Sequence, residues 1–421
     1  MDKFIISGGR SLSGSVKVSG SKNSSLALMP ASILASGKSI LKNTPELNDV
    51  FTMSKLLKHL GAEIYFKDEV LEIDNSGLKE FTAPYEHVKK MRASVYVLGP
   101  LLARFGKAKV SLPGGCAWGP RPVNLHIEAM KKLGADIDFK DGYIIAEAKK
   151  LKGAKINFDI SSVGATGNAM MAATLAKGTT LINNAAIEPE ITQLAEFLLK
   201  MGAKINGIGT NTLDIEGVDE LNPAEIVTIP DRIETGTLLI AAAITNSKIS
   251  LTETSAEFLE AVLLKLEDSG CNVQREENKI SIDATNLELK PISITTSIFP
   301  GFPTDMQAQW TALMSAVNGV STITDAIYFD RFKHVPELNR LGAQIVLDQN
   351  TAVVTGVKKL RGAKVMSTDL RASASLVLAG LIAEGKTEVL RVYHLDRGYQ
   401  RIEEKLKTLG ADIQRVESKE Y

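Results

Sequence analysis

The chain has 421 residues, equal numbers of basic and acidic side chains (49 each), and two cysteines. That length gives room for two or three domains with large cores. The charge balance excludes bulk steering toward nucleic acid or an anionic membrane, so any charge-based function is local. Two cysteines cannot build a disulfide framework, which points to a reducing, cytoplasmic setting. The opening MDKFIISGGR has no apolar signal core, and the apolar stretches are broken by Gly, Ser, Thr, Asn or Pro, so no membrane span is expected.

In chain order, residues 1–21 read as an extra strand pair, and after them the chain repeats. An amphipathic helix running into a small turn and a strand recurs as LGAEI, LGADI, MGAKI, SGCNV, LGAQI and LGADI, with glycines at Gly61, Gly134, Gly202, Gly270, Gly342 and Gly410. The spacings are 73, 68, 68, 72 and 68 residues, the signature of stacked similar units. Between them lies a second series of helices rich in Ala, Leu, Ser and Gly, apolar nearly all round, which belong inside. Pro30 predicts a kink in the first of these. Strands such as AKINFDI and KISIDA alternate apolar and polar residues, as in sheets with one wet face. The expected fold is α/β (α+β): six repeated βαβαββ-type units of buried helices wrapped by outer helices and sheets. A closed six-unit ring and two three-unit domains both fit. Two domains are favoured because single cores stop growing near ~250–300 residues. The boundary then falls near 230, at VTIPDR.

Four inner helices start beside a cation: Lys22, Arg92, Arg232 and Arg371. A helix N-terminus already offers N–H groups and partial positive charge, so the recurring pattern points to anion binding. Asp305 stands at another inner-helix start, where its siblings carry cations. As a carboxylate among cations it stays ionised and can take a proton from a bound hydroxyl. The second repeat holds a long Gly/Pro-rich loop, PGGCAWGPRPVN, with Cys116 at its tip and Arg121 nearby, a setting that can lower a thiol pKa. Cys271 occupies a repeat position filled elsewhere by Ala and reads as packing. Later loops add Arg331 and Arg397. No GxGxxG, HExxH or CxxC is present. The GKS at Gly37–Ser39 has the wrong context for a phosphate loop, and the five histidines show no metal spacing.

The ordered blocks SGSKN, MRAS, SLPGGC…RPVNLH, SVGAT, EPE, PDRIETGT, FPTDMQAQ, RFKHVPEL, TDLRASASLVLAG and HLDRGY resemble the UDP-N-acetylglucosamine enolpyruvyl transferase family from Met1 to about Val416. The resemblance implies a two-domain inside-out α/β barrel with three repeats per domain: residues 1–21 plus 230–421, and residues 22–229 with the cysteine loop. It implies transfer of the enolpyruvyl group of phosphoenolpyruvate to the 3′-hydroxyl of UDP-N-acetylglucosamine, through a tetrahedral ketal, with release of phosphate. These two small molecules are the implied partners. No cofactor and no metal are implied, and the oligomeric state stays open.

By the same resemblance Cys116 is the general acid and the site of a covalent adduct. Lys22, Asn23, Arg121, Arg331, Arg371 and Arg397 hold phosphoenolpyruvate, and Asp305 is the base. The sugar-nucleotide contacts are Arg92, Arg121, Pro122, Val123, Asn124, Leu125, Ser162, Val163, Gly164, Asp305 and Ile327. Three positions depart from the family pattern. Asn124 replaces an Asp at the uracil cradle, Ile160 replaces a basic residue before SVGAT, and Trp118 replaces a smaller residue on the cysteine loop. The shikimate-using enolpyruvyl transferases and a non-catalytic nucleotide-binding scaffold are the competing readings. The cysteine loop argues against the first, and the combination of Cys116, Asp305 and the arginines against the second.

Overall fold

The computed structural model describes residues 2–89, 91–112 and 123–418. Cys116, Trp118, Arg121 and Pro122 lie outside the described residues. The chain divides into two compact units, one of residues 1–19 and 230–421, the other of residues 20–229. Each has its own apolar core.

Among the described residues, six four-stranded sheets share one pattern, with a parallel pair at one edge and two antiparallel pairings beyond it. In the contiguous unit, Lys38–Lys42 pairs in parallel with Glu225–Val227 and antiparallel with Val70–Asp74. The last strand of this unit thus completes its first sheet, and three repeats close on themselves.

The N-terminal strands belong to the other unit and do not pair with each other. Asp2–Ser7 lies between Lys386–Leu390 and Asp412–Glu417, antiparallel to both. Ser13–Lys17 runs parallel to Lys248–Thr252 in another sheet. The expected strand pair is therefore two separate strands. The hydrophobic pattern explains this, since Phe4 and Ile6 are needed under one sheet and Val16 under the next.

The inner helices are buried along almost their whole length, as with Arg232–Ile244 and Leu370–Gly380. Small residues allow this close packing: a Cβ on Gly99 would stand 2.5 Å from the Asn168 carbonyl oxygen. Pro30 does not kink the middle of its helix. It sits one residue before the end of Lys22–Ala31, where the chain tightens into the 3₁₀ turn Ser32–Leu34.

The repeated glycines terminate the outer helices. All six have φ between 90° and 109°, a conformation costly for other residues. The residue after each glycine donates to the carbonyl five residues back: Ala62 to Leu57, Ala135 to Met130, Ala203 to Leu198, Cys271 to Leu266, Ala343 to Leu338 and Ala411 to Leu406. The glycines themselves donate three residues back. These are Schellman-type ends, so the LGA signature encodes a stop and a change of direction. Cys271 is 4% exposed and burial pushes its thiol pKa up, in keeping with a packing role. Among the described residues, no helix is long and apolar enough to cross a membrane.

Candidate active site

In the unit formed by both chain ends, the starts of neighbouring inner helices converge on Asp305. Its 3₁₀ turn, Thr304–Met306, leads into Gln307–Ser315, which packs along Leu370–Gly380. Arg371 Nη2 lies 2.7 Å from Asp305 Oδ2, and Arg331 Nη2 lies 2.6 Å from Asp305 Oδ1. One carboxylate is thus held by two guanidinium groups, an arrangement of strong charge-assisted bonds.

Arg371 is only 4% exposed. Burial works against its charge, but Asp305, Tyr399 and Asp231 outweigh it, and its pKa rises above the ordinary arginine range. The guanidinium also lies 5.5 Å from the centre of the Tyr399 ring. Burial pushes the Tyr399 phenol pKa up. Its hydroxyl meets Thr237 Oγ1 at 2.9 Å and accepts from Gln309 Nε2 at 3.2 Å. Gln309 Nε2 also donates to the Asp305 carbonyl oxygen at 3.0 Å. The Asp305 turn is therefore fixed through backbone and side chain together.

Arg397 ends the turn Val392–Arg397 and is half-buried. Arg415 anchors the preceding residue: its Nη2 lies 2.5 Å from Asp396 Oδ1, and its Nε lies 2.7 Å from Glu403 Oε1. Ile327 lies on the exposed segment that leads to Arg331.

In the contiguous unit, Lys22 and Asn23 open the helix Lys22–Ala31, capped by the Ser21 hydroxyl. Lys22 Nζ lies 3.6 Å from Asp49 Oδ2, and Asp49 is buried. Ser24 Oγ donates to Gln193 Oε1 at 2.6 Å, tying this helix start to the helix Pro189–Lys200.

A second cluster in this unit joins three of the expected nucleotide segments. Asn124 and Leu125 start the helix Asn124–Lys132 after Val123. Its third residue, His126, packs on Gly164, where an added Cβ would stand 3.0 Å from the ring Cε1 and Nε2. Gly164 and Val163 open the helix Val163–Ala173, capped by Ser162, which accepts from Ala165 N at 3.3 Å. Tyr96, from the turn that Arg92 begins, donates its hydroxyl to the Val163 carbonyl oxygen at 3.2 Å. Asn168 meets His126 Nδ1 at 2.9 Å, donates to the Val95 carbonyl at 2.9 Å and accepts from Gly99 N at 2.7 Å. Burial, helped by the Arg92 charge, pushes the His126 pKa down to about 4. The ring is therefore neutral at pH 7, and it stiffens the Gly164 turn without adding charge.

The helix starts differ from the simple anion-site expectation. Asp231 accepts from the N–H groups of Ile233 and Glu234, and Asp369 from those of Arg371 and Ala372. Ser21 and Ser162 cap two more. These bonds use N–H groups that an anion would need. A bound anion at such starts meets chiefly the Lys and Arg side chains. Asp231 and Asp369 carry the ordinary cap signal, an Asp just before an apolar helix. His126 carried no signal beyond being a lone histidine. Asp49 is the second residue of the helix Asn48–Leu60, an ordinary place for an acid.

A family model described as EPSP synthase (3-phosphoshikimate 1-carboxyvinyltransferase) matches residues 6–406. Proteins named UDP-N-acetylglucosamine 1-carboxyvinyltransferase from Chloroherpeton thalassium and Chlorobium phaeovibrioides are 61% and 59% identical to this chain. These alignments cover 100% of the chain and 99% and 100% of the relatives. Among solved structures, the enolpyruvyl transferase NikO from Streptomyces tendae matches with a TM-score of 0.90 at 26% identity, covering 99% of each chain. EPSP synthase from Acinetobacter baumannii matches at 0.78 with 17% identity, over 99% of this chain and 100% of its own, which speaks for the fold alone. The family model spans the fold shared by these enzymes, and the high full-length identities select the branch. This chain belongs to the enolpyruvyl transferase family, in the branch of the UDP-N-acetylglucosamine 1-carboxyvinyltransferases.

Proposed function

We propose that the chain transfers the enolpyruvyl group of phosphoenolpyruvate to the 3′-hydroxyl of UDP-N-acetylglucosamine and releases phosphate. The observation that carries the choice of acceptor is full-length identity of 61% and 59% to relatives named for that reaction. The Asp305–Arg371–Arg331 cluster fits it chemically, because both substrates are polyanions that arginines bind well.

The reaction proceeds by addition and elimination. Cys116 protonates the methylene carbon of phosphoenolpyruvate, leaving an electrophilic carbon that the sugar oxygen attacks. Asp305 takes the hydroxyl proton as the carbon–oxygen bond forms. The tetrahedral ketal then returns a proton from its new methyl group to the Cys116 thiolate and expels phosphate, which restores both the double bond and the thiol. Lys22, Arg121, Arg331, Arg371 and Arg397, with Asn23, hold the phosphate and carboxylate and stabilise charge developing on them. Val123–Leu125 with Arg121 and Pro122 bind the uracil. Ser162, Val163, Gly164, Arg92 and Ile327 bind the remaining sugar nucleotide. Asp305 must exchange part of its bonding to Arg331 or Arg371 for the substrate hydroxyl, so those arginines also set when the base is free to act.

This activity makes the chain a cytoplasmic enzyme at the start of peptidoglycan assembly. It also exposes Cys116 to alkylation by the epoxide fosfomycin. Phosphate release from phosphoenolpyruvate, measured with UDP-N-acetylglucosamine and separately with shikimate 3-phosphate, tests the proposal. Release with the sugar nucleotide alone, abolished by fosfomycin and by Cys116→Ser, is the expected result. Release with shikimate 3-phosphate alone would overturn it.

A further inference from the structure

Asp325 follows the strand Val320–Thr324 and begins the segment that carries Ile327 and Arg331. It is 0% exposed. Four neutral donors surround its carboxylate. Oδ1 accepts from Thr296 Oγ1 at 2.8 Å, Ile327 N at 3.0 Å and Tyr328 N at 2.9 Å. Oδ2 accepts from Thr304 Oγ1 at 2.6 Å. Its backbone is clamped as well: Asp325 N donates to the Asn350 carbonyl at 2.9 Å, and Asn350 Nδ2 donates to the Asp325 carbonyl at 3.0 Å. A carboxylate taken out of water is costly unless its bonds are made. Here they are made in a geometry that defines the path of two segments.

Thr304 gives this buried acid its reach. Having donated to Asp325, its hydroxyl oxygen accepts from Arg331 Nη1 at 2.9 Å. Arg331 Nη2 meets Asp305 Oδ1, and Arg371 meets Asp305 Oδ2. Thr304 is also the residue immediately before Asp305. One chain of bonds therefore runs from Asp325 through the Thr304 hydroxyl and Arg331 to the Asp305 carboxylate. A second runs from Asp325 to the backbone that presents Ile327.

We infer that Asp325 is a positioning residue that, through the Thr304 hydroxyl, orients Arg331 and the Asp305 carboxylate and sets the Ile327 segment in register with them. The inference rests on the proposed role of Asp305. Asp325 touches no reactant, and its work is to remove freedom from groups that do. Misplacement of such groups by about 1 Å can cost on the order of 10²-fold in rate.

The test uses the full chain with Thr304→Val, Thr304→Ser and Asp325→Asn. Thr304→Val keeps the shape and deletes the relaying hydroxyl, while Thr304→Ser keeps the hydroxyl. Phosphate release gives kcat and KM for each substrate, and urea unfolding gives the folded fraction. Thr304→Val is expected to lower kcat per folded molecule at least about tenfold and to raise KM for UDP-N-acetylglucosamine. KM for phosphoenolpyruvate should rise as well, because Arg331 is among its proposed ligands, and Thr304→Ser should recover kcat to within about threefold. Asp325→Asn is expected to lose more in the same direction. If that variant does not fold, the two Thr304 variants decide alone. A Thr304→Val protein with a lowered urea midpoint but wild-type kcat per folded molecule would overturn the inference. So would failure of Thr304→Ser to recover. Absence of turnover in the wild type would instead sink the proposed function and is read before any variant.

Discussion

Arg371 and Asp305 stand 66 residues apart in sequence, yet Arg371 Nη2 lies 2.7 Å from Asp305 Oδ2, each residue at the start of its own buried helix. Asp305 is thus at once the proposed base and the counter-charge for a buried guanidinium. Asp305→Asn should lower kcat by about 10²–10⁴-fold. It should also cost about 1–3 kcal/mol of stability, because Arg371 and Arg331 lose a shared charge partner. Steady-state kinetics and urea unfolding read the two effects separately. Retained kcat would remove Asp305 from the chemistry.

A methyl group on Gly164 fits only if the His126 ring gives way by a few tenths of an ångström. The added carbon of Gly164→Ala would stand 3.0 Å from the His126 ring, which Asn168 holds in place. Overpacking of this kind costs about 1–3 kcal/mol. The expected result is at least a fivefold rise in KM for UDP-N-acetylglucosamine, with KM for phosphoenolpyruvate unchanged. Equal changes in both constants would contradict a local role in nucleotide binding.

Glu234 is 2% exposed and ion-paired with Lys405, which also donates to Ser19 Oγ at 2.7 Å. Burial raises the Glu234 pKa, while Lys405 pulls it back down. Lys405→Met removes that pull and should destabilise the fold by about 3 kcal/mol near neutral pH. A carboxyl whose pKa is raised on folding makes the native state bind more protons than the unfolded chain. Stability is then lost as pH rises from the unfolded pKa to the folded one. The deficit of Lys405→Met should therefore be larger at pH 7 than at pH 5. Urea midpoints for both proteins at both values measure it, and a pH-independent deficit would argue against Glu234 as the cause.

Gly202 has φ of 103°, and nothing lies within 4 Å of the position its Cβ would take. Gly202→Ala should cost about 1 kcal/mol through backbone strain alone, with turnover unchanged. No change in the unfolding midpoint would show that the backbone relaxes without cost.

The architecture was legible where one residue type does one backbone job. The recurring glycines read as helix stops because only glycine takes that conformation cheaply, and the spacing survives in the sequence. The inner helices were legible because Ala, Ser and Gly on all sides leave no wet face. Asp305, Arg331 and Arg371 were each visible as candidates, but their mutual bonding was not, because it depends on which helix starts become neighbours. Asp325 was illegible for the same reason. An Asp after a strand looks like an ordinary turn residue until Thr296 and Thr304, from two other segments, are seen to donate to it. The Glu234–Lys405 pair, 171 residues apart, left no local trace either. Pro30 shows the limit of a proline signal: proline in a small-residue helix predicts a mid-helix kink, but the residue sits in the last turn of Lys22–Ala31.

The placement of Asp2–Ser7 as an interior strand, flanked by Lys386–Leu390 and Asp412–Glu417, dictates an order of events at the ribosome. Residues 20–229 emerge as an uninterrupted stretch and can fold while synthesis continues, as independently cored segments do. Asp2–Ser7 is made before that stretch and must wait for Lys386–Leu390 and Asp412–Glu417 before its sheet exists. A purification tag fused ahead of Met1 is therefore tethered to the middle strand of a sheet, and trimming the first seven residues removes a strand that both its neighbours need.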